Sequence, residues 1–88
     1  LNAAEPEGDP AAVPVLDTTG HRCPIPVVRT EAMLRALPPG ARLDVLADDP
    51  LAAVDIPHFC RQAGHEVTVL RREADWQFQL RKGAERQP

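Results

Sequence analysis

Apolar side chains fall in short blocks along this chain, and the period of each block names an element. Val13, Val15 and Leu16 make residues 13–17 a short strand. Thr18-Thr19-Gly20 ends it, with Gly20 free to take a positive φ. Val27, Thr30, Leu34 and Leu37 recur at i, i+3, i+7 and i+10, a stripe down one side of a helix stopped by Pro38-Pro39-Gly40. Residues 41–48 alternate, with Leu43, Val45 and Ala47 on one face and Arg42, Asp44 and Leu46 on the other, which reads as a second strand. Ala53, Ile56, Cys60 and Ala63 form a second helical stripe behind Asp48-Asp49-Pro50, where helix caps belong. Pro57 has no N–H to give a continuous helix, so the pattern predicts a short first turn and a restart with Asp55 as N-cap. Gly64 is placed to end that helix. Residues 66–72 and 76–81 alternate on either side of a short polar turn, as an antiparallel hairpin does.

The order β-α-β-α-β-β predicts an α/β (α+β) two-layer sandwich. Both helices share one face of a mixed four-stranded sheet, with right-handed crossovers and mostly parallel pairing before the closing hairpin. Residues 13–83 form the domain. Residues 1–12, poor in bulky apolar side chains and broken by Pro6, Gly8 and Pro10, read as a disordered tail, and 84–88 as a short C-terminal tail. A body this small buries only about 60–65% of its extended surface, enough for one thin core and no deep cavity. Its chemistry is expected near the surface.

Charge narrows the function classes. The chain has 10 Lys and Arg against 13 Asp and Glu, and the excess is Glu5, Glu7 and Asp9 in the first tail. A neutral body with three aromatics, Phe59, Trp76 and Phe78, lacks the basic excess of a dedicated nucleic-acid binder. No apolar run approaches the ~18–20 residues of a membrane span, and the acidic start is unlike a signal peptide. The two cysteines, Cys23 and Cys60, are too few for a disulfide scaffold and fit a reducing compartment, the cytoplasm.

The segment richest in chemistry is Gly20-His21-Arg22-Cys23-Pro24-Ile25-Pro26. With a helix starting there, Cys23 takes the N-cap, Pro24 the first helical position and Pro26 the third, where a missing N–H has no intrahelical partner to lose. That leaves the N–H groups of Ile25 and Val27 to face the sulfur, along with the positive end of the helix dipole. Helix N-termini and nearby cations lower a cysteine pKa from ~8.5 to anywhere in ~3.5–7.5, and Arg22 and His21 adjoin Cys23 while Arg29 lies one to two turns on. The expectation is a reactive thiolate stiffly presented by two prolines. The plainer alternative is a small cap residue before two helix-starting prolines, a job usually given to Ser, Thr, Asp or Asn.

Asp17-x-x-Gly20-x-x-Cys23-Pro24-x-Pro26, Pro39-Gly40, Asp48-Asp49-Pro50, Asp55-Ile56-Pro57-x-Phe59-Cys60 and Gly64-His65-Glu66, in that order, closely resemble the TusA-like (SirA-type) sulfur-carrier family. The resemblance runs from about residue 15 to 83. It implies a βαβαββ two-layer fold and a persulfide carried on Cys23; the helix start puts Pro24, Ile25, Pro26, Val27 and Arg22 in support, and no bound metal or cofactor is expected. It also implies two protein partners. One is a sulfur donor, a cysteine desulfurase or a rhodanese-like protein; the other is an acceptor on the way to thiolated tRNA, molybdenum cofactor or sulfur oxidation. A membrane or nucleic-acid partner is not expected, and the chain alone is expected to be a monomer. The competing classes are a non-catalytic protein- or RNA-binding module and a thiol redox switch pairing Cys23 with Cys60.

The remaining candidates read as structural. Cys60 sits on an apolar stripe, as buried free cysteines do. His58 and Cys60, two apart on a helix, point away from each other and do not share a metal. His65 after Gly64 suits a cationic helix cap. Asp17 is expected to bond backbone in the 17–20 turn. Asp48, Asp49 and Asp55 read as caps. Arg71, Arg72, Arg81 and Lys82 form a solvated guard on the hairpin, or a docking patch for an acidic partner or RNA.

Overall fold

Six elements form where the periods change. In the computed structural model, which describes residues 13–84, they are β1 (Val15–Asp17), α1 (Ile25–Arg35), β2 (Arg42–Ala47), α2 (Ala52–Ala63), β3 (Glu66–Arg71) and β4 (Trp76–Arg81). The sheet order is β1-β2-β4-β3. β1 and β2 are parallel, with Leu16 opposite Val45. The pairs β2–β4 and β3–β4 are antiparallel. The expectation of mostly parallel pairing is therefore corrected: β4 folds back between β2 and β3 and takes the hydrogen bonds that a direct β2–β3 pairing would use. The expected tails at 1–12 and 84–88 lie outside the described residues, apart from Ala84.

Register explains the core. Leu43 opposite Leu80 and Val45 opposite Phe78 put the apolar residues of the two central strands on one face, where all four are buried. Leu34 from α1 and Ala52, Ile56 and Cys60 from α2 close over them in one cluster. On each helix the buried line runs at i, i+4 and i+8: Pro26, Thr30 and Leu34 on α1, then Ala52, Ile56 and Cys60 on α2. The stripes read from the sequence were rotated slightly, so that Val27, Leu37 and Ala53 flank the core rather than fill it. The opposite face of the sheet is uncovered and mixed, with Asp44, Gln77, Gln79 and Thr68 beside Val15, Leu46 and Leu70.

Pro57 does not break α2, and Asp55 is not a cap. The helix is continuous from Ala52 to Ala63, with the Asp55 N–H donating to the Leu51 carbonyl at 2.8 Å. One absent N–H is a bounded loss, and the buried pyrrolidine ring adds apolar contact in its place. Gly64 ends α2 in the left-handed region at φ 85°, and the N–H of His65 closes the turn on the Cys60 carbonyl at 2.7 Å. His65 is not a cationic cap. Its Nδ1 accepts the Gly83 N–H at 3.0 Å, which requires an unprotonated nitrogen, and burial with the nearby Lys82 charge lowers its pKa.

Candidate functional site

Parallel neighbours place the loops after their carboxyl ends side by side, and in this sheet those strands are β1 and β2. The loop after β1 begins at Thr18, fully buried, whose N–H and hydroxyl both donate to the Leu46 carbonyl at 2.8 and 2.6 Å. Asp17 turns the chain by accepting the N–H and the hydroxyl of Thr19, as expected, and these bonds hold its carboxyl below the usual range. Gly20 follows at φ 86°.

The loop after β2 then grips this segment from outside. The Asp48 carboxylate accepts the Gly20 N–H at 3.0 and 3.2 Å. The Asp49 carboxylate is shared: Oδ2 accepts the Cys23 N–H at 2.7 Å and Oδ1 accepts the Leu51 N–H at 3.1 Å. Asp49 thus caps the lead-in turn of α2 and holds Cys23 with the same group. Its carboxyl is lowered by the Cys23 and Leu51 bonds first, and by the Arg22 charge after them.

Helix α1 starts one residue later than expected. Pro24, joined to Cys23 by a cis peptide bond, is the N-cap and Cys23 lies outside the helix. The Ile25 N–H, expected to face the sulfur, donates instead to the Arg22 carbonyl at 2.9 Å. Arg22 is exposed, and its charge bears on Asp49 rather than on the thiol. Pro26 is buried and pins the first turn to the core, while Val27 packs against the core edge.

The electrostatic expectation is overturned. Cys23 is half-buried, and its thiol is pushed above its ordinary value by burial first, then by the negative charges of Asp55 and Asp49. The sulfur has acidic neighbours where cations were expected, because the β2–α2 loop brings its carboxylates to the same sheet end.

The starts of both helices carry exposed apolar side chains. Ile25 and Val28 on the first turns of α1 and Leu51 and Val54 at the start of α2 are between 44% and 63% exposed. Beside them an open hollow of about 390 Å³ is lined by Gly20, His21, Arg22, Asp48, Asp49 and Pro50. Such a surface admits a partner protein's cysteine more readily than it encloses a small molecule.

The other candidates are placed elsewhere. Cys60 is fully buried, and burial pushes its thiol up to about 11. His58 is exposed and Cys60 buried, so the two face opposite ways. The hairpin cations are each engaged: Arg71 lies over the Trp76 ring, Arg72 pairs with Asp75, Arg81 with Glu66, and the Lys82 ammonium donates to the Leu37 carbonyl. No helix of the described residues is long and apolar enough to cross a membrane. Among these positions the sequence reading missed the grip of Asp48 and Asp49 on the cysteine loop. The signal was available in the parallel pairing of the first two strands, which puts both loops at one end.

The chain is similar to known proteins. The family described as Sulfurtransferase TusA matches residues 15–82. The sulfur carrier protein TusA of Pseudomonas paraeruginosa is 42% identical over 72 residues, covering 81% of this chain and 91% of that protein. The sulfur carrier protein TusA of Pseudomonas syringae pv. tomato is 46% identical over 59 residues, covering 67% of this chain and 70% of that protein. A SirA-like protein from Desulfitobacterium hafniense has the same fold. Its crystal structure superposes with a TM-score of 0.73 at 23% identity, covering 81% of this chain and 99% of that one.

Proposed function

This chain belongs to the TusA sulfurtransferase family, and on that footing we propose that it is a sulfur carrier whose Cys23 receives and passes on sulfane sulfur. The observation that carries the reading is the placement of Cys23: a free, half-buried thiol at the carboxyl end of the parallel strands, fixed by its own N–H.

The chemistry is two successive exchanges at sulfur. The Cys23 thiol loses its proton and its sulfur attacks the outer sulfur of a donor persulfide. The donor's S–S bond breaks, and the donor cysteine leaves with the electron pair and takes up a proton, so that Cys23–S–SH and a donor thiol result. An acceptor thiolate then attacks the terminal sulfur of Cys23–S–SH, and Cys23 leaves as the thiolate. No electrons enter or leave the pair in either step. The covalent intermediate makes the chain a sulfurtransferase in the enzymatic sense. Its donor is a cysteine desulfurase or a rhodanese-like protein, its acceptor a second sulfur-handling protein, and its compartment the reducing cytoplasm. Residues 13–83 act as one unit in this.

The test is intact-protein mass spectrometry after exposure to a cysteine desulfurase with cysteine, and in parallel to glutathione persulfide. Wild type and Cys60→Ser gain one sulfur, and Cys23→Ser gains none. Failure of wild type to gain sulfur from both donors overturns the reading in favour of a binding module.

A further inference from the structure

Building on the carrier reading, we infer that Asp49 is a positioning residue for sulfur transfer: its carboxylate, anchored at the start of α2, holds the Cys23 backbone and so fixes where that sulfur meets a docked partner's persulfide. Three features of the geometry carry this. The 2.7 Å bond from the Cys23 N–H goes to a charged acceptor, the stronger class of hydrogen bond. The other oxygen of the same carboxylate is bound to the Leu51 N–H, so Asp49 cannot turn away without also releasing the lead-in turn of α2. Cys23 itself lies outside α1, so no intrahelical hydrogen bond fixes it, and its N–H is held by Asp49. Asp48 reinforces the grip three residues earlier, at Gly20.

The same carboxylate acts on the thiol by its charge. The ionised groups that bear on Cys23 are Asp49 from the β2–α2 loop and Asp55 from α2, both negative. Positioning and charge therefore pull a variant's kinetics in opposite directions, which separates them experimentally. Replacing Asp49 with Asn keeps a carbonyl oxygen for Leu51, since Asn caps as well as Asp, but turns an amide NH₂ toward the Cys23 N–H. Asp49→Ser caps with a hydroxyl too short to reach Cys23 as well.

The experiment follows alkylation of Cys23 by iodoacetamide against pH, and sulfur loading from a persulfide-charged cysteine desulfurase, for wild type, Asp49→Asn and Asp49→Ser. Iodoacetamide finds the sulfur wherever it points; a docked protein donor does not. The expected result is an alkylation midpoint moved to lower pH with a plateau rate within about twofold of wild type, the size of a neutral change. Loading at equal thiolate fraction then falls between about 10- and 100-fold, the cost of a misplaced reacting atom. Loading equal to wild type at matched thiolate fraction overturns the inference. So does a plateau rate that falls in step with loading, because Asp49 would then only maintain the fold. If wild type loads from glutathione persulfide and not from the desulfurase, the inference fails for want of a docked donor while the carrier reading stands. If wild type loads from neither, both fall.

Discussion

Replacing Cys60 with serine should weaken the fold while leaving sulfur loading on Cys23 intact. Cys60 is fully buried on α2, in one cluster with Ile56, Leu43 and Phe78. Its thiol, raised to about 11 chiefly by burial, is ionised in only about one molecule in ten thousand at pH 7. Serine brings a hydroxyl into that apolar site. Left unpaired it costs about 1–3 kcal/mol, and bonding back to the Ile56 carbonyl one turn earlier holds the cost to about 1–2 kcal/mol. A domain of roughly 70 residues has about 4–11 kcal/mol of stability in all, so the loss is large but survivable. At about 4–8 °C per kcal/mol for a chain of this size, Tm falls by about 4–16 °C. Thermal unfolding followed by circular dichroism reads the first half of the prediction, and intact mass after persulfide treatment, below both transitions, reads the second. A Cys60→Ser protein with unchanged Tm refutes the burial argument. A protein that is folded at the assay temperature but fails to load refutes the assignment of Cys60 to the core and revives the redox pairing with Cys23.

Asp55→Asn removes the largest charge that raises the Cys23 thiol, so the midpoint of its alkylation profile moves to lower pH; an upward move contradicts the site's electrostatics. Gly83→Ala puts a methyl group into the carbonyl of Gly64, where the end of the last strand meets the end of α2, and should cost about 1–3 kcal/mol in chemical denaturation. His65 has its pKa lowered in the folded state, so the stability it contributes is present above its unfolded value of about 6.5 and is lost as pH falls through the folded value. Urea midpoints measured from pH 7 to pH 5 should therefore decline, and His65→Ala should flatten that decline. The lowered carboxyls of Asp17 and Asp49 lose their contribution only at more acid pH, below the ordinary aspartate range.

Period and punctuation made most of the fold legible. Leu43-x-Val45-x-Ala47 and Phe78-x-Leu80 declare their buried face by alternation alone, and every strand falls within two residues of where its pattern placed it. Pro57 misled because local propensity was weighed without the core that the helix packs against; a buried ring holds α2 together where an isolated peptide would break. The strand order was hidden for another reason. A β-hairpin can add to either side of its neighbour, and nothing in residues 66–81 says that β4 rather than β3 takes the central place. At the site, the cysteine and its loop were readable from Gly20 to Pro26. What surrounds the sulfur was not, since Asp49 and Asp55 are 26 and 32 positions away in sequence and meet Cys23 only through the parallel pairing of β1 and β2.

A Cys23 thiol pushed above its ordinary pKa by burial and by Asp55 and Asp49 changes how the relay is understood. The thiolate is the form that oxidants attack, so a carrier that waits as a thiol between encounters is protected from the oxidation that would end its use. The restraint slows the reaction as well, because each unit of raised pKa removes thiolate about tenfold and returns only about threefold in nucleophilicity. In the proposed second exchange Cys23 is the leaving group, and a higher pKa slows its departure under attack by an acceptor thiolate. A partner that brings a positive charge against Asp49 and Asp55 would offset both carboxylates at once, lowering the thiol's pKa during the encounter. On the carrier reading, the acid pair that raises the Cys23 thiol makes the sulfur's reactivity depend on the charge a docked partner brings.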